Sequence, residues 1–111
     1  MKVASLAEAA PEPVSHDARI LKRVLLRRGE VPHVMQLAQA RLAPGQSAST
    51  HAHADMHEVF LVESGRARFT IDGTAHELGP GGCIAIAPGE MHEVANAGEG
   101  DLVVTYFGIA E

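Results

Sequence analysis

The chain has 111 residues and a formal net charge of −5, with 9 lysines and arginines against 14 aspartates and glutamates. That length fits one domain with a single modest core, and the acidic balance argues against a nucleic-acid partner, which would demand a basic face. No stretch approaches the ~20 consecutive apolar residues of a membrane-spanning helix, so no membrane partner is expected.

Residues 1–18 read as a flexible N-terminal arm, and residues 19–111 as the folded domain. The first fifteen residues are rich in Ala, Glu and Pro, and Pro11 and Pro13 disfavour helix. They lack both a basic start and a long apolar run, so no secretory signal is expected and the cytoplasm is the default location. The single cysteine, Cys83, excludes an intrachain disulfide framework and fits a reducing compartment. Its place in an apolar run predicts a buried thiol.

From residue 19 onward the pattern is mostly of period two. Residues 20–28 suit either a helix, through apolar positions 20, 21, 24 and 25, or a strand, through the alternation Leu21, Arg23, Leu25, Arg27. A strand is the better choice in a chain that reads as sheet thereafter, with Lys22, Arg23, Arg27 and Arg28 on its solvated side. A second strand covers 33–42 and ends at Pro44-Gly45. Short strands follow at 49–53 and 58–63. Residues 66–71 and 74–78 flank Asp72-Gly73, a good two-residue hairpin signal. Strands at 83–87, 91–95 and 101–109 complete the set, separated by Pro88-Gly89 and a turn at Gly98. Many short strands with Gly/Pro turns predict an all-β sandwich or barrel, and an eight-stranded jelly roll (a double-stranded β-helix) fits the count.

Two short spacings carry chemistry. His51 and His53 are two apart, so on a strand they project to one face. Glu58 follows five positions after His53, enough for a turn that returns a carboxylate toward the pair. His92 is expected from a different hairpin, across the barrel. Three imidazoles and one carboxylate then surround one divalent transition metal; mixed nitrogen and oxygen donors suit Fe, Mn, Zn, Ni, Cu or Co. His-x-His alone is common. With a glutamate at this spacing, bounding glycines, and a later Gly-x-x-His followed by Asn96, it is far more specific.

On these residues the chain resembles the cupin superfamily, in particular its small single-domain bacterial members. The first motif, Gly-x5-His-x-His-x4-Glu-x6-Gly, is met at every fixed position from Gly45 to Gly65. The second, Gly-x5-Pro-x-Gly-x2-His-x3-Asn, is met at Gly81, Gly89, His92 and Asn96, and departs at Ala87, where Pro88 comes one residue late. The resemblance implies a jelly-roll barrel with His51, His53, Glu58 and His92 as metal ligands inside it, iron or manganese foremost. It also implies a metal-dependent enzyme. Dioxygenase-like oxidoreductase chemistry on a small organic molecule comes first, then a lyase or isomerase acting on a sugar acid or hydroxy acid. A non-catalytic module binding a small ligand or metal is the third reading.

Other positions are weighed by strand parity. Phe60 and Val62 share the face of Glu58, and Val94 that of His92, so they are candidate walls of a pocket. His57 should face away, exposed, unless the preceding turn ends early and makes it an outer partner of the site. Asn96 either contacts a ligand or caps the turn at Ala97-Gly98. Tyr106 is a core or interface residue by default. An apolar outer face including Val59 and Leu61 predicts a homodimer.

Overall fold

The computed structural model describes residues 1–15 and 17–110. They form ten strands and no helix: β1 (Glu12–Val14), β2 (Asp17–Leu26), β3 (Val34–Leu42), β4 (Ser47–His51), β5 (Met56–Ser64), β6 (Ala67–Ile71), β7 (Thr74–Leu78), β8 (Cys83–Ile86), β9 (His92–Asn96) and β10 (Leu102–Ala110). A six-stranded sheet runs β1-β2-β3-β10-β5-β8 and a four-stranded sheet β4-β9-β6-β7, with every pairing antiparallel. This is an all-β jelly roll. No helix long and apolar enough to cross a membrane occurs among the described residues.

Alternation builds the core. On β5 the side chains of Glu58, Phe60 and Val62 turn inward while His57, Leu61 and Glu63 are exposed. Ala67 and Phe69 of β6, Val94 of β9, and Leu102 and Val104 of β10 meet them from the other elements. Phe60 lies between two aromatic partners, Phe69 and Tyr106, each with ring centroids 5.3 Å away. Burying side chains of this size stabilises the fold by about 1.5–3 kcal/mol each.

The turns follow local chemistry. Asp72 and Gly73 both have positive φ, 47° and 85°, the two-residue turn whose twist matches a hairpin. Pro44-Gly45 turns with Gly45 at φ 82°, closed by the Gln46 amide donating to the Ala43 carbonyl at 3.0 Å. Gly65 is the most constrained glycine. Its φ is +83°, and a Cβ there would sit 2.5 Å from the Asp101 carbonyl oxygen and 2.9 Å from the Leu102 Cα. Both obstacles are backbone and cannot step aside. Gly65→Ala is therefore expected to destabilise the protein by roughly 2–4 kcal/mol, the positive φ and the collision adding together; a thermal melt within a degree or two of wild type would contradict this.

Two expectations need correcting. Cys83 is exposed, not buried. β8 is an edge strand that alternates, with Ile84 and Ile86 turned inward and Cys83 and Ala85 outward, so its apolar run is not one of continuous burial. The basic cluster, of which Lys22 and Arg23 lie on β2 and Arg27 and Arg28 just beyond it, is also not confined to one solvated side. Lys22 and Arg23 are neighbours on a strand and face opposite ways: Lys22 lines the interior, while Arg23 donates to the carbonyls of Leu6 and Ala9 at 3.2 and 2.6 Å. The segment read as an arm thus contributes a strand at the sheet edge, a place where proline is tolerated, and it is further joined to the domain by the Lys2–Glu30 ion pair at 2.6 Å. His16 lies outside the described residues. On the outer face of β5, Val59 is half-buried and Leu61 is 38% exposed.

Candidate metal centre

Four side chains converge where the two sheets meet at one end of the barrel. One potential donor atom from each of His51, His53, Glu58 and His92 lies within 4.8 Å of all the others. Glu58 Oε1 is the hub: it is 2.9 Å from His53 Nε2, 3.0 Å from His92 Nε2 and 3.9 Å from His51 Nε2.

The route by which they meet differs from the expected one. His92 does not reach across the barrel; it pairs directly with His51 on the adjacent strand, β9 against β4, and their ring centroids are 4.3 Å apart. Glu58 comes from the facing sheet. His53 is not on a strand at all, because β4 ends at His51. It sits in the connection that carries the chain from one sheet to the other. Its backbone carbonyl accepts from the Gly89 amide at 2.7 Å, so the turn after β8 holds the connection in place. That turn is itself closed by the Glu90 carboxylate, which accepts from the Ala87 amide at 2.7 Å. Alanine at position 87 thus keeps a well-defined turn.

The donor set fits a transition ion. His92 is 1% exposed, and its Nδ1 lies 3.0 Å from the Glu90 carbonyl. A carbonyl can only accept, so Nδ1 carries the proton and Nε2 is the nitrogen offered to the centre. Glu58 is 7% exposed. Burial pushes its carboxyl up, but the hydrogen bond from His92 and the three surrounding imidazoles outweigh that and hold it below the usual range. Burial likewise pushes His92 down, and the bonds to Glu58 and the Glu90 carbonyl more than reverse it. Three imidazoles gathered on one carboxylate must share protons, and a divalent cation on the same atoms replaces those protons. His51, His53, Glu58 and His92 are the residues that would hold it.

The cluster opens on a cavity of about 180 Å³ between the sheets. Phe60 and Val94 line it, as their parity indicated. Val62 lies one step deeper, in the core at 1% exposure, and does not line the cavity. His57 is exposed on the outer face of β5 and is no partner of the site. Asn96 is taken up by the chain itself: its Nδ2 donates to the carbonyls of Leu42 and Gly100 at 3.0 and 2.8 Å, and its Oδ1 accepts from the Gly98 amide at 2.9 Å. It shapes the turn before β10.

Strand parity alone did not single out Tyr106, Met35, Met56, Gln36 and Lys22 as cavity residues. Tyr106 stacks on Phe60, 16° from parallel, and burial, followed by the charges of Glu58 and Glu12, pushes its phenol up to about 12. It is therefore an O–H donor at neutral pH. Lys22 could have been found: it shares the parity of Ile20 and Val24, the inward face of β2. Met35, Met56 and Gln36 depend on register with β10, which local pattern does not reveal.

Among curated proteins, none matches the chain significantly. Solved structures give the same fold. A predicted oxalate decarboxylase from Thermotoga maritima superposes with a TM-score of 0.90 at 23% identity, covering 99% of this chain and 100% of the other. The polyketide cyclase RemF from Streptomyces resistomycificus gives 0.82 at 22% identity, covering 100% and 80%. A sugar phosphate isomerase from Silicibacter pomeroyi, of the cupin superfamily, gives 0.81 at 18% identity, covering 99% and 76%. The family model described as Cupin domain matches residues 38–108. Because that match spans well over half of the chain and takes in all four converging side chains, the chain belongs to the cupin family.

Proposed function

We propose that this chain is a metal-dependent oxidoreductase, dioxygenase-like, that acts on a small organic molecule, with His51, His53, Glu58 and His92 holding one divalent transition ion, iron foremost. The observation that carries this reading is the make-up of the cavity wall. Apart from the cluster, no carboxylate or imidazole is found among its described lining residues. Proton-transfer chemistry needs a side chain free to take a proton near neutral pH. Tyr106, held up to about 12, is a donor and not a base. Bound in this cluster, the ion would supply the Lewis acidity and the redox activity that these side chains lack. The protein's part is then to shape an apolar chamber with Phe60, Val94 and Val104, to exclude water, and to offer the Tyr106 hydroxyl to an oxygen of the substrate.

A second reading is favoured by the structural relatives: a predicted decarboxylase, a cyclase and an isomerase have the same fold. In that case the centre would run a lyase or isomerase reaction, with manganese or zinc serving as well as iron. Dioxygen dependence separates the two. Fe(II)-loaded protein given a panel of small enediols and thiols is expected to consume dioxygen, and zinc-loaded protein is not. Turnover unchanged without dioxygen and with zinc would establish the second reading; no turnover with any metal would point to a binding module.

A further inference from the structure

The cavity has a second polar end. Lys22 lies on the inward face of β2, and its ammonium is turned along the sheet toward β3, donating to Gln36 Oε1 at 3.2 Å. It is the one cation among the described residues that line the cavity. An ammonium beside apolar walls is costly without an anion, yet among the described residues no carboxylate lies within ion-pair distance of it. Glu12 pairs across the strands with Lys22, but both of its oxygens are occupied by Arg27, at 2.7 and 3.2 Å. Lys22 thus faces the chamber with a neutral amide as its direct partner, while the Glu12 carboxylate acts on it only at longer range, from its ion pair with Arg27.

Register places this end relative to the metal cluster. Gln36 of β3, Gly108 of β10 and Glu58 of β5 stand in one cross-strand row on the inward face. With neighbouring strands ~4.8 Å apart, Gln36 and Glu58 are separated by about 10 Å. The middle position has no side chain. A Cβ on Gly108 would fall 2.8 Å from Met56 Sδ and 3.1 Å from Met35 Cβ, so the glycine makes room for two flexible thioether side chains between the polar ends. The chamber is therefore bipolar: a metal-ligand cluster at one end, an ammonium and an amide at the other, and a soft apolar stretch between.

We propose that Lys22, steadied by Gln36, recognises an anionic group of the substrate, and that the substrate is a small organic acid whose carboxylate pairs with Lys22 while oxygen donors at its other end face the His51/His53/Glu58/His92 cluster. This rests on the reading that the cluster holds a metal ion. A divalent ion with three neutral imidazoles and one carboxylate leaves a net charge near +1, so both ends of the chamber favour anionic oxygen. Lys22 acts here on specificity and takes no part in holding the metal.

Calorimetric titration of Co(II)-loaded protein with glutarate, a dicarboxylate, and with butyrate, which lacks the second carboxylate, tests this. Wild type is expected to bind glutarate about tenfold or more tightly than butyrate, the size of one charge-assisted hydrogen bond. Lys22→Met and Lys22→Gln should each abolish that preference at unchanged cobalt content and circular dichroism, and Lys22→Arg should keep most of it. A preference that survives in either uncharged variant, or is absent from wild type, overturns the proposal. The visible absorption of Co(II) reports the metal reading separately: a wild-type protein that takes up no cobalt contradicts that reading, while the effect of Lys22 on glutarate binding is still measured by the heats.

Discussion

His92→Ala is expected to lower metal affinity by roughly a hundredfold or more, because loss of even an outer partner of a metal ligand costs about 10–100-fold. His92 is the most buried member of the cluster, and its ring is fixed from behind by the Glu90 carbonyl. The metal-free variant should also be less stable, by about 1–3 kcal/mol, since Glu58 loses its buried partner at 3.0 Å. Elemental analysis after dialysis, paired with circular dichroism, reads both effects. His57→Ala is the matched control. That ring is adjacent in sequence to Glu58 yet exposed on the opposite face, and its removal should leave metal content unchanged. Equal metal loss in the two variants would contradict the assignment.

The second large effect is on pH dependence. In the metal-free protein Glu58 is held below its ordinary value of 4.5 and His92 above its ordinary value of 6.5. A lowered carboxyl contributes stability that is present above 4.5 and lost as pH falls through its folded value. A raised imidazole contributes stability that is present below 6.5 and lost as pH rises through its folded value. Both contributions are in force between 4.5 and 6.5, so the metal-free protein is expected to be most stable in that window. The metal competes with the His92 proton, so its affinity should climb as pH rises, with protons released on binding. Thermal melts with and without metal at pH 5 and pH 8 should show the larger metal-induced rise at pH 8. An equal rise at both would mean that no ligand gives up a proton.

Local signals carried much of this molecule. Spacing of two with a glutamate five residues on is short-range information, and so the first motif was legible before any register was known. The hairpin at Asp72-Gly73 was equally local, because the required positive φ values belong to those two residue types. Long-range pairing was not legible. Nothing near His92 shows that β9 lies beside β4 and makes it the immediate neighbour of His51, so the sequence pattern points across the barrel instead. Nothing near Glu12 shows that a proline-flanked triplet pairs with β2 and closes the sheet edge. The exposure of Cys83 is illegible for the same reason, since an apolar run does not say whether its strand is central or at an edge. Lys22 lies between: its inward parity is written in the strand, but four basic residues close together drew the whole segment toward solvent.

The most direct test of the centre is X-ray absorption spectroscopy at the metal edge of the loaded protein, combined with its metal stoichiometry. One ion per chain, with the multiple-scattering pattern of three imidazoles at about 2.0–2.2 Å and at least one oxygen in its shell, is the predicted result. An ion bound with fewer than two imidazoles, or in substoichiometric amount at saturating metal, would contradict the convergence of His51, His53, Glu58 and His92 on a single cation.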